Sequence, residues 1–323
     1  MNNKPNLIAK TGDSLREACG KKITELAIKN KNILILDADI AGGTGMHHFR
    51  SKHKERFIQC GIAEQNMMAM AGGLAAIGFI PIVTTFAVFM LRAIEQARLS
   101  IAYANMNVKV IASHPGLDTG PDGASAQCLE DIACFRTIPN FIVISPCDPL
   151  EMEQATEAVI NYAGPVYMRT GRSDTKRILS EGYEFEIGKG KVLNEGKDLA
   201  IVACGVEVAR SLEAAKLLAE EGIYASVINM STIKPIDSEL LIKYAEKTGA
   251  FVSAEDHNII GGLGGAVAEC LAQNYPCPIE FVGVQDKFGE SGEPEELAIK
   301  YGLSKKSIVE AAKKVLKRKK NDR

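Results

Sequence analysis

One carboxylate and two aromatic rings mark the stretch of this 323-residue sequence best equipped for chemistry, residues 56–91, RFIQCGIAEQNMMAMAGGLAAIGFIPIVTTFAVFML. A short apolar strand runs up to Gly61, Glu64 follows it, and a helix rich in Ala, Met and Gly carries the chain away. At such a junction the positive end of the helix dipole and its free N–H groups favour a carboxylate. The acid can be a plain helix cap, or it can be the positioned carboxylate that general acid/base chemistry requires. The continuation bears on the choice: Gly72 and Gly73 allow close helix packing, and a second strand, IPIVTTF, leads to Phe86 and Phe89. Acid and rings then fall at neighbouring strand ends, where open parallel sheets bind ligands.

Other candidates sit in similar places. Arg16 lies in the first turn of a helix expected over residues 13–30, where a cation is mildly unfavourable unless an anionic ligand is present or the side chain is solvated. Asp39 ends the apolar run NILILDAD, and His114 ends NVKVIASH just before PGLDTGPDGASAQ, a loop dense in Gly, Pro and Asp that contains Asp122. The strand in GPVYMRTGR carries Arg169 and Arg172 to its end. A phosphate is the ligand a guanidinium clasps best. His47, His48 and His53 are poorly spaced for a metal and have no acid cluster beside them, so no metal site is expected. GGLGG at 261–265 lacks the spacing of a nucleotide loop and reads as a tight helix start.

The elements that must hold these residues alternate strand and helix, which signals doubly wound α/β architecture. The length allows two domains. Residues 1–175 form the first, the charged, Gly-containing stretch 176–196 reads as a linker with a short hairpin at EIGKGKVL, and 197–323 form a smaller second domain. With 38 basic and 40 acidic residues the net charge is −2, which supplies no field for nucleic acid or an anionic membrane. Eight scattered cysteines without metal-like spacing point to reduced core thiols. No run has the apolar length of a signal peptide core or a membrane span. A soluble, cytoplasmic protein is expected.

GIAEQNM followed by TFAVF resembles the pyrimidine-binding domain of transketolases and other thiamine diphosphate enzymes, and the resemblance runs from about Arg16 to the end of the chain. It implies a thiamine pyrimidine-binding domain followed by a smaller transketolase C-terminal domain. It also implies roles. Glu64 contacts the aminopyrimidine ring and does acid/base work, Phe86 and Phe89 stack on that ring, and Asp39 lies near thiamine and substrate. Arg16 and Arg169 take the substrate phosphate, and His114 and Asp122 match a catalytic-loop His and an Asp that reads a substrate hydroxyl. Two positions depart from the family pattern: Gly43 replaces a phosphate-holding Ser, and Ala126 replaces a second His. EDH at 255–257 and FGESGEP at 288–294 match the C-terminal domain, whose usual role is dimer support.

The GDG motif with a later Asn that holds Mg2+ and diphosphate in this family is missing. The resemblance is therefore to the C-terminal subunit of a split transketolase. An N-terminal subunit would supply the metal and diphosphate site in an α2β2 heterotetramer, and a two-carbon ketol unit would pass from a ketose phosphate to an aldose phosphate. Alternatives within the same fold are the β subunit of a 2-oxoacid dehydrogenase and a deoxyxylulose phosphate synthase relative; a non-catalytic scaffold is a third.

Overall fold

The computed structural model describes the backbone of residues 10–321 and the side chains of residues 14–319. β1 (Lys10–Ser14) leads into the helix Leu15–Lys29. The first sheet then takes β2 (Ile33–Asp37), β3 (Phe57–Gln59), β4 (Ile80–Phe86), β5 (Lys109–Ser113), β6 (Ile142–Ile144) and β7 (Val166–Thr170), and β8 (Asp174–Arg177) returns to pair antiparallel with β1. These six strands are mutually parallel in the order β6-β7-β5-β4-β2-β3.

Strand alternation explains why their sequences are continuously apolar. On β2, Ile33 and Ile35 enter one core with the helices Leu15–Lys29 and Pro149–Asn161, whereas Leu34 and Leu36 enter the other with Met67, Met68 and Ala71 of the helix Glu64–Ala76. Both faces are covered, as parallel sheets require. Local signals agree: Asp148 caps Pro149–Asn161 by accepting from Glu151 N at 2.9 Å, with Pro at the first helical position.

The second sheet is built from β9 (Lys191–Asn194), β10 (Leu199–Ala203), β11 (Ala225–Asn229), β13 (Phe251–Asn258) and β14 (Ile279–Val284), in the order β14-β13-β10-β11-β9. β12 (Thr232–Lys234) instead crosses over and pairs antiparallel with β6, at the edge of the first sheet. Ala200, Val202, Ile228 and Met230 share one apolar cluster with Val110, Val143 and Tyr167 of the first sheet, so the two sheets are joined through a common core. The molecule is thus an α/β protein with two doubly wound sheets.

Three local features differ from the sequence reading. Within the stretch expected as a linker, Lys191–Asn194 pairs with β11 instead of closing a hairpin on itself. LRAIEQARLSIAYAN, residues 91–105, reads in sequence as one helix, but it is a 3-10 turn, Leu91–Ala93, then Ile94–Gln96, then a π-helical stretch, Ala97–Ala102. Close packing accompanies that irregularity: a Cβ on Gly72 would lie 2.5 Å from Ser100 O, whereas Gly73 faces open space. Only Gly72 is demanded by packing. Among the described residues no helix is long and apolar enough to cross a membrane.

Candidate active site

The C-terminal ends of β7, β5, β4, β2 and β3 lie side by side, and after them the chain presents Arg172, His114, Phe86, Asp39 and Glu64. β3 and β4 flank β2 on opposite sides, so the crossovers diverge there, the topological position at which open α/β sheets bind ligands.

Glu64 is the first residue of the helix Glu64–Ala76 and only 4% exposed. Among the described residues its carboxylate meets exposed Arg92, Nη1 to Oε2 at 3.4 Å, rather than the N–H groups of its own helix. A cap would use those N–H groups, so the geometry leaves the acid available. Phe86 ends β4, and Phe89 and Arg92 follow it at three-residue steps. The two Phe rings are parallel within 9° at 5.5 Å, and Phe86 also stacks on His114 with centroids 3.6 Å apart. Gly43 belongs to this packing, since a Cβ there would sit 2.7 Å from Phe86 Cε1. A Ser at 43 would displace the ring that stacks on His114.

His114 is 2% exposed in a left-handed conformation, φ +60°. Its Nδ1 is 3.0 Å from Ser113 Oγ, and its Nε2 is 3.6 Å from Asp122 Oδ2. Burial, reinforced by the charges of Arg16 and Arg172, pushes its pKa down to about 3, so the ring is neutral near pH 7. Arg172, 33% exposed at its side chain, places Nε 3.5 Å from Asp122 Oδ2. Arg16 donates from Nη1 to Gly43 O at 3.1 Å, and among the described residues its buried Nε has no partner. Two guanidinium groups, a neutral imidazole and Asp122 therefore form one polar mouth with donors to spare.

Arg169 is not part of that mouth. It is 5% exposed, Nε donates to Asp131 Oδ2 at 2.7 Å, Nη2 donates to Asp131 Oδ1, and Nη1 donates to Asp256 O at 3.0 Å. Strand period explains the difference: Arg169 lies inside β7 on the same face as Tyr167, whose hydroxyl also donates to Asp131, whereas Arg172 lies two residues beyond the strand. Burial would raise the Asp131 carboxyl, but Arg169 and the Tyr167 hydrogen bond hold it below the usual range. Of the two arginines, Arg172 is the one beside Asp122.

Asp39 is exposed at φ +63°. It is placed by Gln59, a residue the sequence reading passed over. Gln59 Oε1 accepts from Asp39 N at 3.0 Å and Gly61 N at 2.9 Å, while its Nε2 donates to Asp37 Oδ2 at 3.0 Å. One amide thereby ties the end of β2 to the end of β3, and a polar residue closing an apolar strand was the available signal. Ala126 is buried in the turn where its N–H donates to Gly123 O at 3.0 Å, and Ser125 beside it is exposed.

The histidine run does acquire an acid, from a separate helix. Glu17, His47 and His48 bring one potential ligand atom each within 4.8 Å of one another, and His48 Nε2 lies 2.7 Å from Glu17 Oε2. That contact is a hydrogen bond in its own right and ties Leu15–Lys29 to the helix His47–Lys52. His53 is elsewhere, on Thr24 O at 3.1 Å.

Residues 13–177 match the family described as transketolase, pyrimidine binding domain, and residues 188–308 match the transketolase C-terminal domain. The chain belongs to the transketolase family. It is 44% identical over 308 residues to a putative transketolase C-terminal section of Methanocaldococcus jannaschii, covering 94% of this chain and 96% of that one. It is 42% identical over 306 residues to a 6-deoxy-6-sulfo-D-fructose transketolase subunit of Clostridium sp. (strain MSTE9), covering 94% and 95%. A solved structure described as a split gene transketolase, inactive beta4 tetramer, superposes with a TM-score of 0.89 at 47% identity, covering 95% of this chain and 99% of that one. Membership of this family implies dependence on thiamine diphosphate. The residues present fit its ring half: a buried carboxylate not used by its helix suits a ring nitrogen, and half-buried parallel rings suit an aromatic face. Among the described residues the one metal-like group is Glu17, His47 and His48, rich in imidazole, whereas Mg2+ prefers an all-oxygen set.

Proposed function

We propose that the chain is the C-terminal subunit of a split transketolase that moves a two-carbon ketol unit from a ketose phosphate to an aldose phosphate and turns over only with a partner subunit. The observation that carries this is the pairing, on one sheet edge, of a buried acid beside parallel rings with a mouth of Arg16, Arg172 and neutral His114. Thiamine diphosphate, when bound, supplies the carbon nucleophile and the electron sink.

The chain's own residues hold and orient. Glu64 keeps a proton at the pyrimidine ring nitrogen, and Phe86 and Phe89 offer that ring an apolar surface that excludes water. His114 presents a neutral imidazole able to donate or accept toward substrate oxygens, Asp122 accepts from a sugar hydroxyl, and Asp39 sits at the edge of the same crevice. Arg16 and Arg172 take the phosphate, with Arg172 replacing Arg169 in that role. Relatives differ in donor, as the sulfo-fructose relative shows by its name, and Ala126 points to an altered donor preference here.

The missing GDG motif and the imidazole-rich make-up of the metal-like group support a reading in which a partner holds Mg2+ and the diphosphate, in a cytoplasmic α2β2 assembly. The same reading divides the chain into a pyrimidine-binding domain, 1–175, a connecting stretch, 176–196, and a C-terminal domain, 197–323. The test is reconstitution: the purified chain should bind thiamine diphosphate weakly and show no ketol transfer, and adding the partner subunit should restore turnover. Robust activity of the chain alone refutes the split reading.

A further inference from the structure

β13 ends in Glu255, Asp256 and His257, three buried polar residues whose side chains go to three destinations. Glu255 stays within its own domain, where its carboxylate accepts from Leu263 N at 2.7 Å and Gly264 N at 2.8 Å at the start of the helix Leu263–Asn274. His257 crosses to the first domain, where Nε2 faces Ala133 N at 3.4 Å. Asp256 crosses as well. Its Oδ1 accepts from Leu117 N at 2.8 Å and its Oδ2 from Asp118 N at 2.9 Å, while its carbonyl receives Arg169 Nη1.

Leu117 and Asp118 lie in the loop between His114 and Asp122. Without Asp256 these two N–H groups would lose the carboxylate that satisfies them, and buried donors left unmade are costly. The fit is made for a carboxylate. Gly116 takes φ +73°, and a Cβ on it would lie 2.1 Å from Asp256 Oδ2, so any other residue would push the acid away. The rest of the loop is tied locally, through Thr119 Oγ1 donating to His114 O at 2.8 Å and Ser173 Oγ donating to Asp118 O at 2.9 Å. At the mouth itself the His114–Asp122 and Arg172–Asp122 gaps are 3.6 and 3.5 Å, at or just past hydrogen-bond reach, so a small displacement of this loop changes which contacts form.

We propose that Asp256 is a positioning residue for substrate binding: the C-terminal domain reaches across to fix the loop that carries His114 and Asp122, and so sets donor affinity without touching the sugar. This rests on the reading of that loop as the substrate loop. In the complex with the partner subunit, Asp256→Asn turns one acceptor into a donor facing a backbone N–H. It is expected to raise KM for a ketose phosphate about 10- to 100-fold, the range for a lost charge-assisted hydrogen bond. Proton exchange at C2 of the bound cofactor, which depends on Glu64, should be unchanged. In the chain alone, the Leu117 and Asp118 amides should exchange with deuterium faster than in wild type.

Glu255→Gln is the control from the same motif: it should lower Tm and leave KM alone. Gly116→Ala, which crowds an intact Asp256, should raise KM in the same way and serves where Asp256→Asn folds poorly. The proposal is overturned if Asp256→Asn leaves KM and both amides unchanged, or if Glu255→Gln raises KM equally. Absence of ketol transfer by the wild-type complex would defeat the functional reading instead, and amide exchange would then decide the clamp by itself.

Discussion

The two sheets share a winding but treat their C-terminal edges in opposite ways. At the second sheet the edge is sealed against the first: Gly205 N donates to Ser145 O at 3.1 Å, Ser145 N donates to Ser231 O at 2.8 Å, and Glu255 and Asp256 each accept two backbone N–H groups within 2.9 Å. At the first sheet the edge is held loosely. Glu64 meets Arg92 at 3.4 Å, His114 meets Asp122 at 3.6 Å, and Arg16 Nε has no partner among the described residues. Buried polar groups are normally satisfied, so those that are not call for a reason. Spare valence alone does not separate the two edges, since among the described residues Glu207 Oε2 and Asn229 Oδ1 at the second edge are also unpartnered; what sets the first edge apart is that its loosely held groups are charged side chains beside parallel rings.

The sharpest test of that contrast sets Glu64 against Glu255, two buried acids at strand-to-helix junctions. Glu64→Gln in the assembled complex should slow C2-proton exchange of bound thiamine diphosphate by about 100- to 10,000-fold, the usual contribution of a positioned acid/base group, with Tm unchanged. Wild-type exchange in that variant would make Glu64 a structural acid like Glu255.

A smaller effect separates two arginines three residues apart. Arg169→Leu leaves Asp131 buried and unpaired, and breaking such a pair costs about 3–5 kcal/mol, read as a large fall in Tm. Arg172→Leu should leave Tm near wild type and raise KM for phosphorylated ketoses about 10- to 100-fold, since a charge-assisted hydrogen bond is worth roughly 1.5–3 kcal/mol. Unphosphorylated sugars should be little affected. The opposite pattern, with Arg169 moving KM and Arg172 moving Tm, would return Arg169 to the phosphate.

How far the sequence went can be judged from these same residues. Parallel strands such as ILILD and VYMRT were legible because both faces are buried, and the position of Glu64, Phe86 and His114 at one sheet edge was legible because each closes or follows an apolar strand. The pairing of Arg169 with Asp131 was not foreseen because spacing along a strand end does not say which Arg still obeys the strand's two-residue alternation. β12 was missed since a three-residue edge strand has no periodicity to show, and its partner β6 lies far away in sequence. Gln59 and Asp256 act through bonds to distant backbone, which no local pattern reports. The acid beside His47 and His48 was invisible for the same reason, as it comes from position 17.

The smallest effect concerns Ala126, on the loop that the sealed edge holds for the open one. Its side chain is buried, its N–H is bound to Gly123 O, and Gly123 itself packs against Ser291, with a Cβ there reaching within 2.5 Å of Ser291 Oγ. The backbone at 126 is therefore fixed from both domains, and only the side chain is free to change. On the proposed reading Ala126 leaves a polar group missing near the sugar, while Arg16, Arg172 and His114 would serve its anionic end. Phosphate recognition should accordingly survive, and the preference should show in the head of the donor. Ala126→His adds at most one or two neutral hydrogen bonds, each worth about 1 kcal/mol, so donor preference should move by roughly fivefold to thirtyfold. A screen of xylulose 5-phosphate, fructose 6-phosphate and 6-deoxy-6-sulfofructose on wild type and Ala126→His measures it. If wild type uses the two common phosphates efficiently and the His variant changes nothing, exposed Ser125 or the partner subunit supplies the missing bonds and the altered preference is wrong.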